Sequence, residues 1–278
     1  MPSSTAPEVG PLLAAGDVHA HRPGGRRLDA WALSAGLARL RSAIEHGLFV
    51  LHFQPIVGVC DRRVCCHEAL LRLADQSDGR LIAPNRFLPA AERYGLIGEI
   101  DRLVLERVIA LLAREPKARI AVNVSALSVT DASMLAHIER CLEWHGVDPS
   151  RLVIEVTETA AISELARARE FCMRVLTLGC GLALDDFGTG YGSLQYIKHL
   201  PFSHLKIDGD FVRRLAHSRT DRLVVSAIAG IARGMGAMTV AEFVSDEATI
   251  EILRSYRVDY AQGFAVGRPQ AALPALGR

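Results

Sequence analysis

The adjacent acids Asp185 and Asp186 have the placement in this chain that most clearly indicates chemistry. They end an apolar run, Gly181 to Leu184, and the glycine-rich segment Phe187 to Gly190 follows them. Two neighbouring carboxylates repel each other unless positive charge lies between them, and above a buried strand a divalent metal ion commonly supplies that charge. The pair therefore predicts a metal site, provided that further ligands converge on it.

Length and composition favour one large α/β domain with a tail. The 278 residues are 50% hydrophobic, and 32 Lys and Arg stand against 31 Asp and Glu, a net charge of +1. This balance gives no general attraction to a nucleic-acid polymer or an anionic membrane, so an anionic ligand must be held locally. The sequence shows no membrane-spanning run and no signal peptide, and its six cysteines form no CxxC pair. These features predict a cytoplasmic protein with reduced, mostly buried cysteines.

The chain divides into a predicted flexible leader over residues 1–28, rich in Pro, Gly and Ala, and a domain over residues 29–278. In the domain, eight short β-like runs alternate with helical patterns. This alternation favours a (β/α)₈ TIM-like barrel over an open sheet, and the lack of GxGxxG after the first strand argues against dinucleotide binding. The predicted strands are 49–57, 64–73, 119–124, 152–156, 181–185, 204–207, 238–242 and 260–264. The predicted helices are 30–46, 100–114, 132–144, 163–178, 220–235 and 246–256.

Polar residues gather on or beside the predicted strands, and the active sites of such barrels lie at the carboxyl ends of the strands. Taken singly, each has an ordinary alternative, such as a buried ion pair of Glu68 with Arg72 or a surface pair of Lys206 with Asp208. Together they favour a site for hard cations, and oxygen ligands without Cys or His indicate Mg²⁺ or Mn²⁺ rather than Zn²⁺. The set is Glu68, Asn123, Glu155, Glu158, Asp185, Asp186, Lys206, Asp208, Glu242 and Gln262.

The motifs that carry these residues resemble the EAL domain family of cyclic di-GMP phosphodiesterases, in order and spacing, from about residue 35 to the C-terminus. The resemblance implies a barrel whose first strand runs antiparallel to the rest. It also implies hydrolysis of cyclic di-GMP to linear pGpG with Mg²⁺ or Mn²⁺, two ions per site. The matching segments are Gln54-Pro55-Ile56, Glu68 to Arg72, Asn123-Val124-Ser125, Glu155 to Glu158, Asp185 to Gly190, Lys206-Ile207-Asp208, Ala241-Glu242 and Gln262-Gly263-Phe264.

The resemblance also implies a role for each matching residue. Lys206 contacts the catalytic water, Glu242 is an essential acid near the metals, and Glu158 anchors the loop after Asp186. Asp185 is our candidate to bridge two ions about 3.5–4 Å apart, the spacing that holds both the attacking and the leaving oxygen. The implied metal ligands are Glu68, Asn123, Glu155, Asp185 and, for the second ion, Asp186. The implied substrate contacts are Gln54, Leu70, Arg72, which meets a phosphate, and the orienting Gln262.

Two other functions compete with the hydrolase. The nearer is a non-catalytic receptor that binds cyclic di-GMP and signals through a protein partner. It needs Arg72 and Gln54 but not a full ligand set. The other is a metal-dependent barrel lyase acting on small acids, which would not need Arg72 together with the glycine-rich loop. Ser245 stands where a second glutamate is common in the family, which predicts a reduced rate. The resemblance also implies a homodimer, because in the family the loop after Asp186 is linked to dimerisation and the helix that follows it often forms the pairing surface.

Overall fold

The computed structural model describes residues 34–75, 78–157, 164–188 and 197–273, and every structural statement below concerns these residues. The predicted leader over residues 1–28 lies outside them. Nine strands form one sheet, and all eight predicted strands are among them with ends shifted by at most two residues. They are β1 Phe49–Gly58, β2 Val64–Ala74, β3 Leu81–Ile82, β4 Ile120–Asn123, β5 Leu152–Thr157, β6 Gly181–Phe187, β7 His204–Ile207, β8 Met238–Ala241 and β9 Tyr260–Gln262.

Eight of the nine strands close into a barrel. The hydrogen-bonded order runs β1-β9-β8-β7-β6-β5-β4-β2, and β1 also pairs with β2, which completes the ring. β1 is antiparallel to both of its neighbours, whereas β2 and β4 to β9 pair in parallel around the ring. The structure thus confirms the predicted barrel and its antiparallel first strand. The short β3 lies outside the ring, as an antiparallel flap on β2.

Helices cover the outside of the barrel. In the longer ones the apolar positions recur every three or four residues, so one face of each packs onto the strands. Side chains cap several helix starts: Asp131, Ser218 and Asp246 each accept a hydrogen bond from a backbone N–H in the first turn. The helices are α1 Ser34–Glu45, α2 Leu88–Arg93, α3 Ile97–Arg114, α4 Ala126–Val129, α5 Ala132–His145, α6 Leu165–Thr177, α7 Gly209–Val212, α8 Arg219–Gly234 and α9 Glu247–Ser255.

The interior of the barrel has an apolar layer beneath a polar one. Six small or medium apolar side chains, each from a different strand, pack together as a cluster of their own: Ile56, Cys66, Ala121, Val153, Ala183 and Val240. Side chains two residues apart on a strand share a face. The next inward position toward the carboxyl end of a parallel strand is therefore Glu68 after Cys66, Asn123 after Ala121, Glu155 after Val153, Asp185 after Ala183, and Glu242 after Val240. The same alternation places Gln54 above Ile56 on β1, two residues toward the amino end because that strand runs the other way.

Candidate active site

Lys206 lies at the centre of the polar layer. Its side chain is 1% exposed, and its Nζ lies 2.8 Å from Glu155 Oε2, 2.9 Å from Glu242 Oε1, 3.1 Å from Asp185 Oδ1 and 3.6 Å from Glu68 Oε2. Three strands other than its own, and the residue that follows β8, thus each contribute a carboxylate to one ammonium group. The alternative interpretation of Lys206 and Asp208 as a surface pair is wrong, because Lys206 is buried.

Glu68 is held by two side-chain amides besides Lys206. Asn123 Nδ2 donates to Glu68 Oε1 over 2.7 Å, and Gln262 Nε2 donates to Glu68 Oε2 over 2.7 Å. Gln262 Nε2 also lies 3.3 Å from Gln54 Oε1, and Gln54 Nε2 donates to the carbonyl of Gly267 over 3.0 Å. This chain of amides runs across β4, β2, β9 and β1 and fixes the orientation of the Glu68 carboxylate.

Asp185 and Asp186 reach the same site although they are consecutive residues of β6. In a regular strand their side chains would point to opposite faces. The β6–β7 ladder shifts register between Leu184 and Phe187, and Asp186 has a φ of 55°, a left-handed conformation that Asp tolerates better than most residues. As a result, carboxylate oxygens of Asp185, Asp186 and Glu242 all lie within 4.8 Å of one another.

Burial and crowding shift the pKa values of these acids in different directions. Burial raises the pKa of Glu242 to about 8 despite the nearby Lys206, and burial together with Asp185 and Asp208 raises the pKa of Asp186 to about 6. Burial also raises the pKa of Glu155 well above its usual range. Burial opposes ionisation of Glu68 as well, but Lys206 and the amides of Gln262 and Asn123 outweigh it and lower its pKa.

The pKa of Lys206 shows that the site holds an excess of negative charge. Burial alone would lower this pKa, but the four carboxylates, Asp185 foremost, raise it well above the usual value. The group is therefore a permanent ammonium at neutral pH. With Asp186 included, five carboxylates face one positive charge, a net charge of minus four when all are ionised.

The donor set fits a hard divalent cation. It contains carboxylate oxygens and the amide oxygen that Asn123 can present, and none of the residues named in the polar layer is a His or Cys. Mg²⁺ and Mn²⁺ prefer such ligands, whereas Zn²⁺ favours nitrogen and sulfur. Bound cations would offset the excess negative charge and would lower the raised pKa values of the acids.

Two of the predicted substrate contacts lie farther along β2. Leu70 and Arg72 share the face of Glu68, about 7 and 13 Å beyond it at about 3.3 Å per residue, and both are half-buried. Arg72 Nη1 donates to the carbonyl of Leu71 over 2.7 Å. Among the described residues, Glu68 pairs with Lys206, and no ion pair between Arg72 and Glu68 is found. The predicted anchor Glu158 lies outside the described residues.

The structure adds two acids whose roles the sequence did not reveal. Asp208 interacts with Asp186 and raises its pKa, while its other contact caps α7 at Asp210 N. Asp101 of α3 is buried and accepts a hydrogen bond of 3.0 Å from the backbone N–H of Ser125, so it supports the turn that follows Asn123. Asp101 is the only acid among the buried positions of α3, and that isolation was the signal available in the sequence.

Ser245 has no contact with Lys206 among those that the structure describes. It is exposed, and its hydroxyl donates to Asp246 Oδ2 over 2.8 Å. Lys206 has its four carboxylate contacts without any group from residue 245.

Among the described residues, no helix is both long and apolar enough to cross a membrane.

Comparison with known proteins agrees with this geometry. The EAL domain profile matches residues 37–269. The chain is 40% identical over 238 residues to the bifunctional diguanylate cyclase/cyclic di-GMP phosphodiesterase MucR of Pseudomonas aeruginosa. This alignment covers 84% of this chain and 35% of MucR. It is 36% identical over 246 residues to the cyclic di-GMP phosphodiesterase PdeF of Escherichia coli, covering 87% of this chain and 32% of PdeF. The chain thus spans about a third of the length of these relatives.

Solved structures show the same architecture. The phosphodiesterase of Pseudomonas aeruginosa MucR in complex with cyclic di-GMP superposes with a TM-score of 0.80 at 39% identity, covering 86% of this chain and 97% of that one. The FimX EAL domain of Pseudomonas aeruginosa bound to cyclic di-GMP gives a TM-score of 0.81 at 29% identity, over 86% and 98% of the two chains. The fold, the motifs and the family profile agree, and this chain belongs to the EAL domain family.

Proposed function

We propose that this chain is a cyclic di-GMP phosphodiesterase that uses Mg²⁺ or Mn²⁺ to produce linear pGpG. The observation that carries the proposal is the cluster of five carboxylates around the buried Lys206 at the carboxyl ends of the barrel strands. Relatives that share this domain are named cyclic di-GMP phosphodiesterases, and the MucR domain was solved with the dinucleotide bound.

The chain's residues divide into those that hold cations and those that hold substrate. Bound in the carboxylate cluster, divalent cations supply neutralisation of the phosphate oxygens and a lower pKa for the attacking water. Asp185, whose carboxylate lies within 4.8 Å of those of Asp186 and Glu242, is our candidate for the ligand that two ions would share. The residues that would hold the ions are Glu68, Asn123, Glu155, Asp185, Asp186 and Glu242.

Lys206 acts as a hydrogen-bond donor and not as a base. Its surroundings hold it as an ammonium, so it cannot accept a proton at neutral pH. It orients the attacking water by donating to the water oxygen, and it stabilises the negative charge that develops on the phosphate. In that step one of its three N–H groups turns from a carboxylate to the water, and the remaining carboxylate contacts keep the ammonium in place.

Arg72 and Gln54 orient the dinucleotide above this centre. The guanidinium offers two parallel N–H donors to a non-bridging phosphate oxygen pair, and Leu70 offers an apolar surface between Arg72 and Glu68. In the reaction the water oxygen bonds to phosphorus and the bond from phosphorus to the 3′ oxygen breaks. One proton of the water is released and the leaving 3′ oxygen takes up a proton, so the product, pGpG, equals cyclic di-GMP plus one water.

The experiment is turnover of cyclic di-GMP by the purified chain, with pGpG identified by mass. We expect hydrolysis that requires Mg²⁺ or Mn²⁺ and is lost in Glu68→Ala. Glu92→Ala, which removes an exposed carboxylate of α2, is the matched control and should retain activity. Equal activity of Glu68→Ala and the parent would refute the assignment of Glu68.

The second candidate is a receptor that binds cyclic di-GMP and acts through a protein partner. It is favoured by one feature of the site, since Lys206 already compensates part of the carboxylate charge. Isothermal titration alongside the turnover assay separates the two functions. Binding without turnover, with either metal and across pH, would establish the receptor and exclude the hydrolase.

Homodimerisation and a cytoplasmic location remain predictions. Residues 189 and 190 of the glycine-rich segment, and the six residues after it, lie outside the described residues. Light scattering over a range of concentrations tests the dimer, which a purely monomeric series would contradict.

A further inference from the structure

We propose a second metal site, for Zn²⁺ or a similar transition metal, on the outside of the barrel between α3 and α5. Its ligands are Glu106 of α3 and His137 and Cys141 of α5, whose ligand atoms all lie within 4.8 Å of one another. None of these residues belongs to the polar layer around Lys206.

Two of the three distances between ligand atoms are close to those of a tetrahedral metal site. His137 Nε2 lies 3.6 Å from Glu106 Oε1 and 3.7 Å from Cys141 Sγ. Metal–ligand bonds of about 2.0–2.3 Å at tetrahedral angles place neighbouring ligand atoms about 3.4–3.6 Å apart. The third pair, Glu106 and Cys141, lies within 4.8 Å, and His137 Nε2 would exchange its present 3.4 Å contact with the carbonyl of Arg102 for the metal.

Two rigid helices position these ligands. His137 and Cys141 are four residues apart on the 14-residue α5, so they share one face, and Glu106 projects from the middle of the 18-residue α3. The His137 side chain is only 9% exposed, whereas that of Glu106 is 55% exposed. A buried nitrogen ligand is thus combined with an open side through which an ion can enter.

The surroundings leave room for a fourth ligand. The three residues line a groove of about 830 Å³ that His145 also lines, one helical turn beyond Cys141. A water molecule would complete the coordination, or His145 after its side chain rotates, since His145 is not among the ligand atoms that lie within 4.8 Å of one another. Arg107 and Arg140 line the same groove, so a cation is held there only through direct bonds to an ionised thiolate and carboxylate, and not by a general negative field.

The donor chemistry distinguishes this site from the barrel site. Nitrogen and sulfur ligands select Zn²⁺, Co²⁺ or Cd²⁺, whereas the oxygen-only set around Lys206 selects Mg²⁺ or Mn²⁺. Burial and Glu106 raise the pKa of Cys141, so binding converts a thiol into a metal thiolate and releases its proton to solvent. Coordination would cross-link α3 to α5 and stabilise the domain.

Co²⁺ titration of the metal-stripped protein in excess Mg²⁺ tests the proposal, because Mg²⁺ competes for the oxygen-only site. We expect a thiolate-to-cobalt charge-transfer band that saturates at one equivalent. Cys141→Ser should lose the band entirely. Cys60→Ser, which changes an exposed cysteine remote from His137 in sequence, should retain it.

Two further variants keep the test independent of folding. Glu106→Gln alters an exposed side chain and should retain the band with an affinity weaker by about tenfold or more, and His137→Gln should weaken it at least as much. Absence of the band in the parent, its persistence in Cys141→Ser, or its loss in Cys60→Ser would each overturn the assignment. The readout does not depend on hydrolysis of cyclic di-GMP.

Discussion

Lys206 acts at the residue scale as the internal counter-charge of the site. Its four carboxylate partners come from three other strands and from the residue after β8, so this one side chain allows acids to be buried together that would otherwise repel each other. The same side chain is the donor in the proposed reaction. Stability and turnover should therefore depend on it together.

We expect Lys206→Met to lower the free energy of unfolding by about 3–5 kcal/mol at pH 8, because it leaves buried carboxylates unpaired. Turnover should fall about 10²- to 10³-fold as a preorganised donor is lost. Urea unfolding and initial rates measure the two effects. Lys198→Met, at an exposed lysine, is the control and should change stability by less than about 0.5 kcal/mol. Unchanged turnover in Lys206→Met would contradict its role.

Arg72 should matter for binding more than for chemistry. Its position about 13 Å along β2 from Glu68 separates it from the charged centre. We expect Arg72→Lys to raise KM for cyclic di-GMP about tenfold or more with kcat within a few-fold, because an ammonium cannot replace the two-pronged contact to phosphate. Steady-state kinetics measure this, with Arg80→Lys, at an exposed arginine just before β3, as the control. A fall in kcat at constant KM would place Arg72 in the chemical step instead.

At the scale of elements, the ends of β8 and β9 hold Gln262 in place. Val244 N donates to the carbonyl of Gln262 over 2.9 Å, and the carbonyl of Val244 accepts from Ala265 N over 3.0 Å. Gly263 lies between these bonds with a φ of 154°, and a Cβ there would overlap with the backbone nitrogen and oxygen of Val244. The glycine thus allows the close approach that orients Gln262 toward Glu68.

We expect Gly263→Ala to lower the free energy of unfolding by about 2 kcal/mol or more, since the overlap is with backbone that cannot rotate away. Gly230→Ala, on the exposed side of α8 with nothing near its Cβ, should instead raise it by about 0.5–1 kcal/mol. Chemical denaturation of both variants measures the contrast. If Gly263→Ala were as stable as Gly230→Ala, the backbone contact would not be as close as described.

The sequence predicted the longer helices and strands, whose hydrophobic pattern extends over enough residues to be detected. All eight barrel strands followed from apolar runs, and the five longer helices after the first barrel strand from three- and four-residue periodicity. The short β3, α2, α4 and α7 were missed because two to six residues hold too little pattern to detect. The left-handed Asp186 and the support of Ser125 by Asp101 depend on contacts between distant segments, which a local pattern does not encode.

At the scale of the whole molecule, the two interior layers of the barrel have different roles: the polar layer serves function and the apolar layer serves stability. The polar layer carries the proposed chemistry, and the apolar layer beneath it lies beside His204, Arg119 and Tyr260. His204 is 7% exposed, and burial, with Arg119, lowers its pKa to about 4. The folded barrel therefore holds this imidazole neutral.

This shift makes stability depend on pH in a definite direction. Between about pH 4 and 6.5 the unfolded chain binds a proton at His204 that the folded chain does not, so stability falls as the pH falls through this window. At pH 5 the loss from this one group is about 2 kcal/mol relative to pH 7.5. We expect His204→Gln to show a correspondingly flatter pH dependence in urea unfolding. An equal slope in parent and variant would mean that His204 is protonated in the folded state.

The central claim is that the carboxylate cluster hydrolyses cyclic di-GMP with the help of divalent cations. Its most direct test is a single-turnover experiment, in which metal-stripped protein in excess is mixed with cyclic di-GMP and Mn²⁺ or Mg²⁺ is then added. We predict no pGpG before the metal and its rapid formation afterwards, with no formation at all in Glu68→Ala. Full occupancy by cyclic di-GMP with no pGpG after either metal would contradict the claim.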